Sequence, residues 1–205
     1  PEPDSAKNEA RRAGESGFDL VVAAGGDGTI NEVVNGIAPL ENRPKMAIIP
    51  AGTTNDYARA LKIPRGNIKA AAEVIIKNQT VKMDIGQTDR DYFINIAAGG
   101  HLTELTYEVP SELKSIFGYF LALTNSVGGF EQIVPDAKLD DGNFTLIIVK
   151  TANILEILHL IGLVLNGGKH VDDPRIIYAK TSYLKVHTPE DGKQLMINLD
   201  GEYGG

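Results

Sequence analysis

The sequence predicts an α/β protein in two parts: an N-terminal open α/β domain over residues 1–84, then a mainly β, sandwich-like second domain over residues 85–205. Three observations carry this. Strand-like and helix-like segments alternate as far as Thr80, which implies parallel βαβ units. Two strand ends run straight into glycine loops that open helices. After Thr80 the segments are mostly strand-like, with Asp-Gly and Gly-rich turns between them, and the boundary is expected near residue 85.

Ala6 to Ser16 is a polar, charged helical segment. Phe18 to Ala24 is a short continuous apolar run with β-branched residues and reads as a buried strand. Ile30, Val33, Val34 and Ile37 then fall at i, i+3, i+4 and i+7, one face of a helix. Met46–Ile49 is a second buried strand. Asn55 or Thr54 can cap the helix that carries Tyr57, Ala58 and Leu61. Ile68–Lys77 forms another helix. In the second part, Val81–Ile85, Tyr92–Ala97, Phe144–Lys150, Ile176–Thr188 and Gln194–Leu199 are strand-like. One strong helix, Asn153–Leu165, interrupts them, and its apolar stripe reads first as core. The chain has no strand before its first helix, and Lys114–Tyr119 runs into Phe120–Ser126 without a turn. Residues are therefore expected to be missing at the start and near Tyr119.

Composition narrows the partners. A formal charge of −7 over 205 residues, with no basic run, argues against nucleic acid. There is no cysteine, so disulfides and thiolate metal sites are excluded. His101, His159, His170 and His187 lack metal-ligand spacing, and each reads as a surface or capping residue. No apolar run approaches the roughly 18 residues of a membrane span, and no signal peptide opens the chain, so a soluble cytoplasmic protein is expected.

Chemistry concentrates in Gly25-Gly26-Asp27-Gly28-Thr29-Ile30-Asn31-Glu32. A glycine turn between strand and helix lets backbone N–H groups approach a phosphate, whose charge the helix dipole favours. Asp27 is out of place beside phosphate unless a metal or a proton lies between them. The motif reads either as a nucleotide site with Mg²⁺ or as a ligand-free tight turn. Pro50-Ala51-Gly52-Thr53-Thr54-Asn55-Asp56 is a second glycine loop at a strand end, and in open α/β sheets ligands bind beyond such ends. Asp84 is a lone carboxylate in an apolar strand. Pro135–Gly142 is an acidic turn, and Asn198-Leu199-Asp200-Gly201-Glu202 closes the last strand with two carboxylates around a glycine.

Together, Gly25–Thr29, Pro50–Arg59, Ala97-Ala98-Gly99-Gly100, Leu139-Asp140-Asp141-Gly142 and Asp200-Gly201-Glu202, in that order, resemble the diacylglycerol kinase catalytic family, specifically its soluble bacterial lipid kinases. Members begin with a strand and an Asn-Pro phosphate loop that has no counterpart here. The resemblance implies transfer of the γ-phosphoryl of ATP to diacylglycerol, giving phosphatidic acid. It also implies action at the inner membrane surface without a membrane span, and a homodimer.

By the same resemblance, Gly26 to Glu32 and Thr53 bind ATP, Asp27 faces the phosphates through Mg²⁺, and Glu202 is the general base. That role needs a pKa raised by burial or by a neighbour such as Asp200. Asp56 and Asp84 either complete an acidic network around Mg²⁺-ATP, or cap a helix or pair with a lysine. A separate Mg²⁺ is implied at the Asp141 carboxylate with the backbone oxygens of Lys138 and Asn143; an ordinary Asp-Gly hairpin turn is the alternative. Either Asn153–Leu165 or Leu105–Phe117 offers an interfacial surface. Other acceptors remain open: sphingosine, ceramide or phosphatidylglycerol. NAD kinases share the Gly-Gly-Asp-Gly loop, but their second loop usually carries an Asn-Glu pair where this chain has Asn55-Asp56.

Overall fold

The computed structural model describes residues 4–100, 116–128, 130–131, 133–152, 154–186 and 196–204. The chain divides into two compact units, Pro1–Ile94 and Asn95–Gly205.

In the first unit, α1 (Ser5–Glu15) leads into β1 (Leu20–Gly25), α2 (Asp27–Ile37) and β2 (Lys45–Pro50). β1 and β2 pair in parallel from Leu20↔Lys45 to Gly25↔Pro50, so both chains emerge at the same end, into the two glycine loops. Then come α3 (Asp56–Ala60), α4 (Ile68–Ile76), β3 (Gly86–Gln87) and β4 (Tyr92–Phe93). The helical spacing of Ile30, Val33, Val34 and Ile37 turns all four inward. There they meet Ala10 of α1, Ala23 of β1, Ile48 of β2, and Tyr57 and Ala58 of α3.

β1 is not buried on both faces as its apolar run suggests. Leu20 and Val22 are exposed while Ala23 is buried, because among the described residues this strand pairs with β2 alone and the helical core covers one of its faces. Val81–Ile85, expected as a strand, is not one. Pairing is confined to the β3–β4 hairpin, which α2 holds: Tyr92 N–H donates to Asn35 Oδ1 (2.8 Å), and Asn35 Nδ2 donates to the Tyr92 carbonyl (2.9 Å). That amide gives the Tyr92 backbone the donor and acceptor a neighbouring strand would supply. The hairpin thus stays with the first unit, and the division falls after Ile94, later than the expected 84/85.

In the second unit, β5 (Ile96–Gly100), β6 (Ile116–Ala122), β7 (Ser126–Val127), β8 (Phe130–Glu131) and β9 (Phe144–Ala152) precede α5 (Ile154–Leu165). A 3₁₀ turn over Lys169–Asp172, β10 (Ile176–Thr181), β11 (Ile197–Leu199) and β12 (Glu202–Tyr203) follow. Six strands form one antiparallel sheet in the order β10-β9-β6-β5-β11-β12. The expected strand Tyr92–Ala97 is split between β4 and β5, and the expected Ile176–Thr188 strand ends at Thr181. β6 runs without a break through Tyr119, with a register shift between Ile116 and Gly118.

Two sequence expectations change here. Along α5 only Leu160 is fully buried, while Ile154, Leu155, Leu158, Ile161 and Leu165 are exposed. Most of the stripe read as core therefore faces outward, while Ile157 is half-buried against Val149 and Leu160. His170, read as a surface or capping residue, is 3% exposed. Its Nε2 bonds the Ile133 carbonyl at 3.0 Å, and burial pushes the imidazole below its ordinary pKa. His101, His187 and most of Leu105–Phe117 lie outside the described residues.

Candidate active site

The two glycine loops are built as one object. Gly26 is the N-cap of α2 and offers no side chain to the N–H groups of the first turn, which lack intrahelical acceptors. A Cβ on Gly52 would lie 2.4 Å from Gly26 Cα, so the backbones touch and only glycine fits at that point. Asn55, the N-cap of α3 in the left-handed region, closes the second loop. It accepts from Gly52 N–H (3.0 Å) and donates from Nδ2 to the Gly52 carbonyl (2.7 Å).

The cap expected from Asn55 or Thr54 comes instead from the other loop. Asp27 Oδ2 accepts the Asp56 N–H at 3.0 Å, and Oδ1 accepts the Tyr57 N–H at 3.1 Å. Asp27 thus joins the start of α2 to the start of α3. A carboxylate has about four lone-pair sites, so both oxygens keep accepting capacity. Asp56 is itself buried, and Arg59 lies 3.5 Å from it, the counter-charge a buried carboxylate requires.

The remaining predicted nucleotide residues divide. Gly25, Gly28, Thr29 and the exposed Thr53 sit at the loops. Ile30 is fully buried and belongs to the core. Asn31 Nδ2 donates to the Tyr92 carbonyl (3.3 Å), and Glu32 Oε2 accepts the Ala6 N–H at the start of α1 (3.0 Å). Those three brace the loop's helix from behind. Asp84 is half-buried, ahead of β3.

Glu202 opens β12 beside a two-residue hairpin turn in which Asp200 (φ 53) and Gly201 (φ 97) are both left-handed, the pattern that favours Asp-Gly. Its side chain is exposed rather than buried. Asp200, expected as an electrostatic neighbour of Glu202, has a structural task. One of its oxygens accepts the N–H groups of Asn95 and Ile96, both at 2.8 Å, anchoring the hairpin to the start of β5.

At the acidic turn, Lys138, Asp141 and Asn143 line one narrow cavity with Lys180. Asp141 Oδ1 accepts the Asn143 N–H at 3.1 Å, and Oδ2 lies 3.5 Å from Lys180 Nζ. The Asp141 carboxylate is an oxygen donor of the kind a hard cation takes, and a cation, the lysine ammonium, already faces it. Among the described residues, no three His, Cys, Asp or Glu side chains gather as a metal cluster. Asp136 joins from the same turn. The Tyr178 hydroxyl donates to Asp136 Oδ1, and this bond, helped by Lys180, holds the Asp136 carboxyl below the usual carboxylate range. Sequence reasoning missed Asn35, Tyr178 and Lys180. The i, i+2 spacing of Tyr178 and Lys180 on one strand face was the available signal for the last two.

Residues 1–88 match the diacylglycerol kinase catalytic domain, and residues 70–205 match the family described as the YegS C-terminal NAD kinase beta sandwich-like domain. A diacylglycerol kinase of Bacillus subtilis is 46% identical over 235 aligned positions, spanning 98% of this chain and 76% of that protein. A Staphylococcus aureus diacylglycerol kinase is 46% identical over 232 positions, spanning 96% of this chain and 72% of that protein. Both alignments are longer than the 205 residues here, so the relatives carry residues inside the matched span that this chain lacks. The crystal structure of a diacylglycerol kinase from Bacillus anthracis superposes with a TM-score of 0.80 at 28% identity, covering 98% of this chain and 76% of that one. The chain is an α/β kinase domain joined to a mainly β domain, and it belongs to the diacylglycerol kinase family.

Proposed function

We propose that the chain transfers the γ-phosphoryl of Mg²⁺-ATP to the free hydroxyl of diacylglycerol, giving phosphatidic acid and ADP. The observation that carries this reading is the joined pair of glycine loops at the N-terminus of α2, held in register by Asp27. Backbone N–H groups without Cβ obstruction suit the β- and γ-phosphates, and Gly25, Gly26, Gly28, Thr29 and Thr53 would contact them. Asp27 and Asp56 set the geometry of that cradle, and Asp84 is a candidate ligand of the nucleotide's metal.

Phosphoryl transfer asks the protein mainly for positioning and charge neutralisation. Glu202 would take the proton of the acceptor hydroxyl as its oxygen bonds to the γ-phosphorus and the bond to ADP breaks. The exposed hairpin position leaves Glu202 free to gain its desolvation only when substrate covers it. A Mg²⁺ ion held by Asp141 with backbone oxygens of Lys138 and Asn143 would supply fixed positive charge that orders the acidic turn. No helix among the described residues is long and apolar enough to cross a membrane. An acceptor with two acyl chains is therefore met at a membrane surface, from the cytoplasmic side, with the protein acting peripherally as a homodimer.

Labelled ATP offered in parallel with diacylglycerol in mixed micelles, sphingosine and NAD tests the acceptor. Labelled phosphatidic acid is expected. Label in sphingosine phosphate or NADP would replace the substrate assignment. With Glu202→Gln, turnover is expected to fall on the order of 10²–10⁴-fold while ATP binding is retained; full turnover would remove Glu202 from the chemistry.

A further inference from the structure

The acidic turn and β10 form a charged cluster around the Asp141 carboxylate, and the inference drawn from it rests on the Mg²⁺ site proposed there. Tyr178 and Lys180, two residues apart on β10, share one face of the strand. The Pro135–Asn143 segment lies over that face. Lys180 Nζ is 3.4 Å from Asp136 Oδ2, 3.5 Å from Asp141 Oδ2, and donates to the Asp136 carbonyl at 3.1 Å. The Tyr178 hydroxyl fixes the other oxygen of Asp136, and the Asn143 N–H fixes the other oxygen of Asp141. Both carboxylates are thereby oriented so that their remaining oxygens converge on one ammonium. The Asp141 and Lys180 side chains are 23% and 34% exposed, so the pair is partly shielded from solvent and the ammonium has an open side toward which to withdraw.

We propose that Lys180 is a built-in counter-cation of the Asp136–Asp141 turn, which competes with a divalent cation for the Asp141 carboxylate and swings out when that ion binds. A dication needs the same Oδ2 that Lys180 faces, and two cations at one oxygen repel. A lysine on four rotatable bonds can leave; a backbone carbonyl cannot. The lysine keeps the turn folded when no metal is present, and it lowers the affinity for the metal in return. Other groups on β10 do not serve, because Tyr178 is a neutral donor already committed to Asp136.

The test uses Mg²⁺ alone, with neither ATP nor lipid, so its outcome is independent of the kinase reading. Titration calorimetry on the full chain at matched ionic strength compares wild type, Lys180→Met, Lys180→Arg and Asp141→Asn. Removing the ammonium is expected to tighten Mg²⁺ binding on the order of tenfold, the scale of a close, partly shielded charge pair. Lys180→Arg should bind like wild type, and Asp141→Asn should abolish binding. In wild type, Mg²⁺ should also quicken modification of Lys180 by an amine-reactive reagent, read by peptide mass spectrometry. This second readout needs no variant to fold. Equal Mg²⁺ affinity in wild type and Lys180→Met, absence of Mg²⁺ binding in both, or an unchanged rate of Lys180 modification would each overturn the proposal.

Discussion

The Asp27 carboxylate accepts two backbone N–H groups from another loop, so its removal acts on geometry before it acts on charge. In Asp27→Asn one oxygen becomes an amide donor facing an N–H donor. A buried, unmet N–H costs about 1–3 kcal/mol. Chemical denaturation should show a loss of that size even without nucleotide; an unchanged midpoint would return Asp27 to a purely phosphate-facing role. The same scale explains Asp200. Its position beside Glu202 in sequence suggested a pKa partner, yet its oxygen is spent on the N–H groups of Asn95 and Ile96. Spacing along a chain places a carboxylate but does not choose its acceptor.

Among the elements, α2 carries the most. Its apolar face holds the first unit's core, and its N-terminus opens the candidate site. Ile30, fully buried one turn from the glycines, ties the two tasks together. Ile30→Ala should cost about 2–5 kcal/mol, read from the urea midpoint, and should weaken ATP binding through the loop it supports. The 3₁₀ turn after α5 makes a pH prediction. His170 is buried, its Nδ1 has no hydrogen-bond partner among the described residues, and burial holds its folded pKa below the ordinary 6.5. As pH falls through about 6.5 the unfolded chain takes a proton that the folded protein refuses, so stability declines by at most about 1.4 kcal/mol per pH unit. The decline ends once pH drops below the folded pKa. Wild type should thus lose more stability between pH 7 and about pH 5.5 than His170→Gln; parallel curves would show that His170 is not the group responsible.

For the molecule as a whole, the division after Ile94 gives each unit its own core, the first around α2 and the second around β6, β9 and Val134. Units with separate cores are candidates for separate opening. In Ile30→Ala, amide exchange should quicken through β1, α2 and β2 while the paired strands β6 and β9 keep their protection. Equal loss in both units would show a single cooperative body. The formal charge of −7 belongs to this scale as well, since it disfavours polyanions as general partners.

Periodicity and loop chemistry alone determined that strands and helices alternate before Thr80, that two glycine loops follow two strand ends, and that a mainly β domain comes next. Those features depend on residues close in sequence, and the pattern of motifs carried the family with it. What a side chain does across the fold was decided only by tertiary structure. Asp27 caps a helix 29 residues away, Asn35 stands in for a strand beside Tyr92, and Lys180 faces a turn 39 residues upstream. The apolar stripe of Asn153–Leu165 and the run from Phe18 to Ala24 show the same limit from the hydrophobic side. A pattern marks which face is apolar, and only the packing of other elements determines whether that face is covered.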